Sequence, residues 1–254
     1  MKKGLTELVF IIDRSGSMSG LEDDTIGGFN AMLQEQQNVE GEAFLTTVLF
    51  DDRYELLYDH VDIQCAAPLT RKDYTVRGST ALLDAIGMTI HKIKKIQHSA
   101  SEESRAEKVL FIIITDGQEN ASRYYTADMI KEQIEYQKQK YGWEFIFFGA
   151  NMDAIAEAAK IGIAADRARN YSADTYGTQS AYSAMSAMSS AFRSGVSLDT
   201  NAATDDPQSV KAAMANLKRT AAGLLHAAKA NSGKLPGINK IARSILSGRK
   251  DEEE

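Results

Sequence analysis

The sequence predicts an α/β chain: a doubly wound, Rossmann-like domain with a mainly parallel central sheet, one antiparallel edge strand, helices on both faces and a C-terminal helical extension. Three observations carry this expectation. Short, almost wholly apolar runs recur along the chain, as strands buried on both faces require. Amphipathic helical patterns separate them, which is how parallel strands are joined. One connection is too short for such a crossover and must turn a hairpin.

The elements follow in order. Residues 8–13 form the first strand, and Ile26, Phe29 and Leu33 mark the face of the helix after it. Residues 43–50 and 54–63 are the next two strands, and the polar step Asp51, Asp52, Arg53 between them can only close a hairpin. Leu82, Ile86, Ile90 and Ile93 give a second helix face, and residues 108–115 a fourth strand. Ile130 and Ile134 mark a third helix, residues 144–149 a fifth strand, and Ile155 with Ala159 a shorter helix. Residues 168–171 are a weaker sixth strand, followed by a helix on Tyr182, Met185 and Phe192. Pro207, preceded by Asp205 and Asp206 as capping candidates, opens a last helix whose stripe is Val210, Met214, Leu217, Ala221, Leu224 and Leu225. The chain thus divides into a domain over 1–193, a polar linker over 194–206 and a basic amphipathic extension over 207–254 with an acidic end.

The 254 residues suffice for one α/β domain plus this extension, and 43% hydrophobic with 25% charged residues is ordinary globular composition. Cys65 is the only cysteine, so the chain has neither an internal disulfide nor a thiolate metal cluster, which fits a reducing cytosol. The first strand begins too early and is too short for a signal peptide, and no apolar run approaches the length that crosses a bilayer. A cytoplasmic location is expected. The net charge of −6 is unevenly spread: residues 207–250 hold nine basic and no acidic side chains, whereas 1–206 hold 20 basic against 31 acidic, a net −11.

Ligands of open α/β sheets sit beyond the carboxyl ends of strands, where the winding reverses. Three polar groups fall there: Asp13, Ser15 and Ser17 after the first strand, Thr115, Asp116 and Gly117 after the fourth, and Gly78, Ser79 and Thr80 before the second helix. Two carboxylates and three hydroxyls supply the oxygen donors that hard cations take. The group holds no imidazole or thiolate, which argues against zinc, copper or an iron–sulfur cluster. Magnesium is the expected cation, with manganese or calcium as substitutes.

Asp13-x-Ser15-x-Ser17, Gly78-Ser79-Thr80 and Thr115-Asp116-Gly117, in this order and spacing, resemble the metal-ion-dependent adhesion site (MIDAS) of the von Willebrand factor A (vWA) family over about residues 5–193. The resemblance implies a vWA fold. It also implies metal coordination by the hydroxyls of Ser15, Ser17 and Thr80, with Asp13 and Asp116 acting mostly through bound water or hydroxyl contacts. Ser79 departs from a glycine common in the family. Residues 147–153 and 118–120 look like a bacterial and phage branch of it.

With both aspartates outside the coordination sphere, the cation keeps charge and an exchangeable position. It then favours a carboxylate from a protein partner presenting Asp or Glu. One such contact is too little for a stable complex, since specific interfaces bury on the order of 1,200 Å² or more. Arg14, Met18, Arg77, Glu119, Tyr124 and Tyr125 are the candidate rim contacts for that partner.

Plainer readings stand beside these. Asp13 and Ser15 can cap a helix, and Asp84 either supports the metal site or suits a helix dipole. Tyr124 and Tyr125 offer either an aromatic surface or local packing. His60 reads as structural, His91 and His98 as a solvated face, and His226 as a helix edge. The stripe at 210–225 either packs on the domain or forms an interaction arm. No zinc finger or single-strand-binding pattern is present, so nucleic acid is not the expected partner.

A metal-dependent hydrolase is the rival from another class. Serine stands at position 15 where a two-aspartate phosphatase needs its second carboxylate, Met18 replaces the serine of a G-x-S-x-G elbow, and no phosphate loop occurs. Catalysis is therefore not expected. Similar bacterial domains also serve AAA+ ATPase machines, which makes an adaptor role acting mainly through the basic arm the third reading.

Overall fold

A computed structural model of the chain describes residues 1–196 and Leu198. Six strands, β1 (Lys2–Asp13), β2 (Ala43–Phe50), β3 (Tyr54–Asp62), β4 (Ala106–Thr115), β5 (Glu144–Ala150) and β6 (Ala168–Tyr171), form one sheet in the order β3-β2-β1-β4-β5-β6. All neighbours are parallel except β2 and β3, the expected hairpin at one edge. Winding proceeds from β1 to β2 on one side and continues through β4 on the other, so it reverses between β1 and β4.

The helices are α1 (Glu22–Gln37), α2 (Leu82–Ser99), α3 (Ala127–Tyr141), α4 (Ala154–Lys160) and α5 (Thr175–Arg193). Because side chains alternate along a strand, β1 feeds two cores. Leu8, Phe10 and Ile12 meet Phe29, Leu33, Tyr182 and Met185 of α1 and α5. Val9 and Ile11 share the opposite core with Ile86, Ile90, Ile130, Ile134 and Ala154 of α2, α3 and α4. Local chemistry sets the helix ends. Thr126, Asp153 and Asp174 cap α3, α4 and α5 by accepting backbone N–H bonds, and Gly142 closes α3 in the left-handed conformation. The Arg193 guanidinium donates to the carbonyls of Gln36, Val39 and Gly41, which secures the end of α1 against α5.

Three expectations need correction. The first strand starts at Lys2 rather than residue 8, because Lys2 pairs with Ala106 of β4 even though Lys3 and Gly4 are exposed and polar. The buried face of α4 is Ala154 and Ala158, while Ile155 is 44% exposed and Ala159 is also exposed. Here α4 comes so close to the sheet that a methyl group built on Gly149 would lie 2.9 Å from the Ala154 Cβ, and only alanine fits that approach. Ile63 belongs to a short 3-10 turn after β3 rather than to the strand. Of the predicted linker over 194–206 only residues 194–196 and Leu198 are described, and the extension over 207–254 lies outside the described residues.

One carboxylate sits deep in the sheet. Glu7 of β1 is fully buried and accepts hydrogen bonds from the Thr46 hydroxyl at 2.7 Å and His60 Nδ1 at 2.7 Å. His60 has a positive φ of 50° where the β2–β3 register shifts, and this bend turns its ring toward β1. The Glu7 bond raises the His60 pKa above its ordinary value against the opposing effect of burial, with Asp59 adding to the rise and Lys92 opposing it.

A folded-state pKa above the unfolded one means that the pair's stabilisation is full below about pH 6.5 and lost as pH rises through the raised value. Thermal unfolding of wild type and His60→Asn, a residue that tolerates positive φ, is therefore expected to show a stability gap that narrows from mildly acidic to alkaline pH. A gap that stays constant would contradict the charged pair.

Candidate metal centre

The reversal between β1 and β4 brings their carboxyl ends side by side, with Ile12 paired to Ile114. Asp13 is thereby set beside Thr115. Its Oδ2 accepts the Thr115 hydroxyl at 2.5 Å and its Oδ1 accepts the Ser15 N–H at 2.6 Å. Beneath it, the Tyr74 hydroxyl donates to the Asp13 carbonyl at 2.6 Å. The chain then wraps through a 3-10 turn, Gly16–Met18, that leaves the Ser15 and Ser17 hydroxyls 3.0 Å apart.

Thr80 arrives on a different loop, and backbone bonds hold that loop in place. Gly16 N–H donates to the Gly78 carbonyl at 3.1 Å, Arg77 N–H to the Arg14 carbonyl at 2.9 Å, and Ala81 N–H to the Asp51 carbonyl at 2.9 Å. Gly78 has a φ of +68°, and a side chain there would collide with Asp52. Asn120 grips Thr80 from the other side, with its Oδ1 accepting the Thr80 N–H and its own N–H donating to the Thr80 carbonyl.

These constraints converge at Gly117. A Cβ placed there would lie 2.7 Å from Thr80 Oγ1, 2.9 Å from Ser17 Oγ and 3.4 Å from Ser15 Oγ. Three hydroxyl oxygens from two loops thus surround one small space that only glycine leaves open. Next to it Asp116 is buried, and neither of its carboxylate oxygens makes a well-aligned hydrogen bond, although the Ser17 hydroxyl is close enough to ease their charge. Burial is the main reason its pKa is raised. Asp13 is pushed up to about 6, first by burial and to a smaller degree by the Asp116 charge, against the hydrogen bonds of Thr115 and Ser15. Among the described residues no cluster of three or more His, Cys, Asp or Glu has metal-binding geometry, and the oxygens gathered here are mainly hydroxyls. A pocket of neutral oxygens beside an under-bonded carboxylate fits a hard divalent cation.

The expected rim is partly overturned. Arg14 is 1% exposed, and its Nε bonds Asp51 at 3.1 Å while its Nη1 meets Glu55 at 2.7 Å. Met18 is fully buried. Neither can touch a partner. Glu119 is half-buried and accepts from the N–H groups of Leu83, Ala121 and Ser122 and from the Ser122 hydroxyl, so it organises its loop. Tyr125 packs into the core over Gly87. Arg77 remains half-exposed while bonding Asp51 at 2.7 Å, and Tyr124 is 75% exposed. Ser79 is exposed.

The sequence reading left the roles of several organising groups open or unassigned. Asp84 accepts the three successive N–H groups of Arg123, Tyr124 and Tyr125 at 2.8–2.9 Å. Asp51, at the end of β2, is the shared acceptor of Arg14 and Arg77. Its place at the carboxyl end of a strand next to β1 was a signal available in the sequence. Asn120 was singled out only as part of the stretch 118–120, with no role assigned to it.

No family model matches the sequence, and no curated protein matches it. Solved structures do. The vWF domain of the type V pili tip protein Mfa5 from Porphyromonas gingivalis superposes with a TM-score of 0.51 at 11% identity, over 76% of this chain and 96% of that one. A von Willebrand factor type A structure from Catenulispora acidiphila gives 0.51 at 17% identity, over 73% and 42%. The PilB minor pilin from Streptococcus sanguinis gives 0.50 at 11%, over 73% and 61%. The chain thus spans about three fifths of the pilin and less than half of the Catenulispora protein. At these identities the likeness concerns the fold, and the fold is the Rossmann-like one of vWA domains.

The space above Gly117 gives a direct test. Gly117→Ala places a methyl group among the three hydroxyls, and it is expected to abolish cation-induced thermal stabilisation while the chelated protein unfolds within a few degrees of wild type. Unaltered stabilisation by magnesium or manganese in this variant would place the cation elsewhere.

Proposed function

We propose that the chain is a divalent-cation-dependent protein-binding module, with magnesium as the resident ion and manganese or calcium able to replace it. One observation carries this reading: the hydroxyl pocket over Gly117 beside the buried, under-bonded Asp116. In this reading Ser15, Ser17 and Thr80 hold the ion through their hydroxyl oxygens, and Asp13 and Asp116 act through water or hydroxyl contacts. Asp13 suits that role because both its oxygens are already engaged, by Thr115 and by the Ser15 N–H. A bound ion would supply a positive charge with an exchangeable position, to which a partner Asp or Glu side chain can bind. The fixed loop carrying Arg123 and Tyr124 then provides contact area beside it, with Arg77 on the neighbouring loop.

The sequences at 147–153 and 118–120 support a bacterial and phage-type branch, and the single cysteine supports a cytoplasmic setting. Among the described residues no helix is long and apolar enough to cross a membrane. The end of α5 at Arg193 supports a vWA domain over 1–193, followed by the linker and the basic extension. The engagement of Asp13, Glu119 and Asp84 by backbone and hydroxyl donors favours binding over hydrolysis, because each of these carboxylates already has a structural task. No observation favours an AAA+ partner over others.

Two variants test the reading. Thr115→Val removes the hydroxyl that orients Asp13 and is expected to weaken magnesium binding about 10–100-fold by calorimetry. Asp116→Asn is expected to lose both magnesium binding and magnesium-dependent capture of a partner from native lysate. Capture that survives chelation and follows residues 207–250 alone would instead assign binding to the arm, and turnover of a phosphoester panel would restore the hydrolase. Full cation affinity in both variants would sink the proposal.

A further inference from the structure

At the opposite end of the sheet, where β4 and β5 begin, a cavity of about 410 Å³ opens between α2 and α3. That volume lies in the range of small-molecule sites. Its lining combines cations and aromatic rings. Lys94, Arg105 and Lys140 face it, and no ion pair joins any of them to a carboxylate among the described residues. Glu107, also in the lining, is engaged by the Gly4 N–H at 2.7 Å. Lys140 is held in place: its ammonium donates to the Tyr136 hydroxyl at 2.6 Å and lies 5.1 and 5.3 Å from the ring centroids of Tyr136 and Tyr141. Both rings are exposed.

A second observation points to a ligand. Gln137 lines the cavity, is 1% exposed, and has no hydrogen-bond partner for either amide atom. The Arg105 Nε is likewise buried without a partner. Leaving a buried polar group unsatisfied is costly, and native structures seldom do so without a reason. A carboxamide with both donor and acceptor free matches the N6/N7 edge of adenine, which Gln recognises in bidentate fashion. Exposed tyrosine rings stack on bases, and lysine and arginine side chains without a carboxylate partner bind phosphate; Arg105 Nη2 also donates to the Ala100 carbonyl at 3.1 Å.

We propose that this cavity binds an adenine mononucleotide, with the phosphate on Lys94, Arg105 and Lys140, the base against Tyr136 and Tyr141, and its edge on Gln137. The Gln137 amide is shielded in the free protein, so the base edge reaches it only after the side chains above it shift. The site is independent of the metal centre, which lies at the other end of β4.

Trp143, the only tryptophan in the chain, lines the same cavity and reports on its occupancy. Titration of the full chain with AMP, followed by Trp143 fluorescence, is expected to saturate with a Kd below about 1 mM. Adenosine and inorganic phosphate should each bind at least about tenfold more weakly, since each lacks one half of the contacts. The double variant Lys94→Ala, Lys140→Ala should weaken AMP about tenfold and leave magnesium-induced stabilisation unchanged. Gln137→Leu, which replaces an unsatisfied amide by an apolar group, should erase the preference for AMP over UMP. Absence of a saturable signal, phosphate binding as tightly as AMP, or AMP affinity indifferent to these substitutions would overturn the assignment.

Discussion

The candidate metal centre depends on one buried carboxylate that does not belong to it. Asp51 ends β2 with no exposure, accepts Arg14 and Arg77 through Oδ2 and the Arg53 N–H through Oδ1, and lends its carbonyl to Ala81. Burial works against its charge, but the Arg77 hydrogen bond, the Arg53 N–H and the two guanidinium charges outweigh it and leave the pKa lowered. Those contacts join the loop after β1, the β2–β3 turn and the loop that carries Thr80. A buried ion pair adds little net stability compared with an apolar core, yet breaking one costs about 3–5 kcal/mol because a charge is left stranded. Its value here is therefore geometric: three loops are locked in a single relative arrangement.

Strand identity was largely legible in the sequence because buried parallel strands are continuous apolar runs, and β2 and β6 match their predicted limits. The beginning of β1 was not, since backbone pairing with β4 tolerates polar side chains at the sheet's end. Periodicity also failed on α4, where closeness to Gly149, a property of the folded chain alone, selects alanine for the buried side. In the site, three motifs and their order indicated which hydroxyls gather. Arg14 and Met18 were misplaced because a residue next to a site serine can point inward as readily as outward, and the partner that draws Arg14 in is 37 positions away.

The same logic explains the loop from Glu119 to Tyr125. Asp84 and Glu119 spend their carboxylates on consecutive backbone N–H groups, which would otherwise need water in a half-buried turn. Side chains that look available in the sequence are therefore occupied, and the loop they fix holds Tyr124 out from the surface. A contact residue on a rigid loop loses less conformational freedom on association than one on a flexible loop.

The sheet's two borders have their own consequence. β3 breaks register twice beside β2 and turns through the positive φ of His60, whereas β6 offers only four residues. An intact, flat margin would invite a neighbouring chain to add a strand through main-chain pairing. With one margin crooked and the other cut short, lateral growth by strand addition is discouraged, and copies crowded together at high concentration have little means of zipping into fibrils.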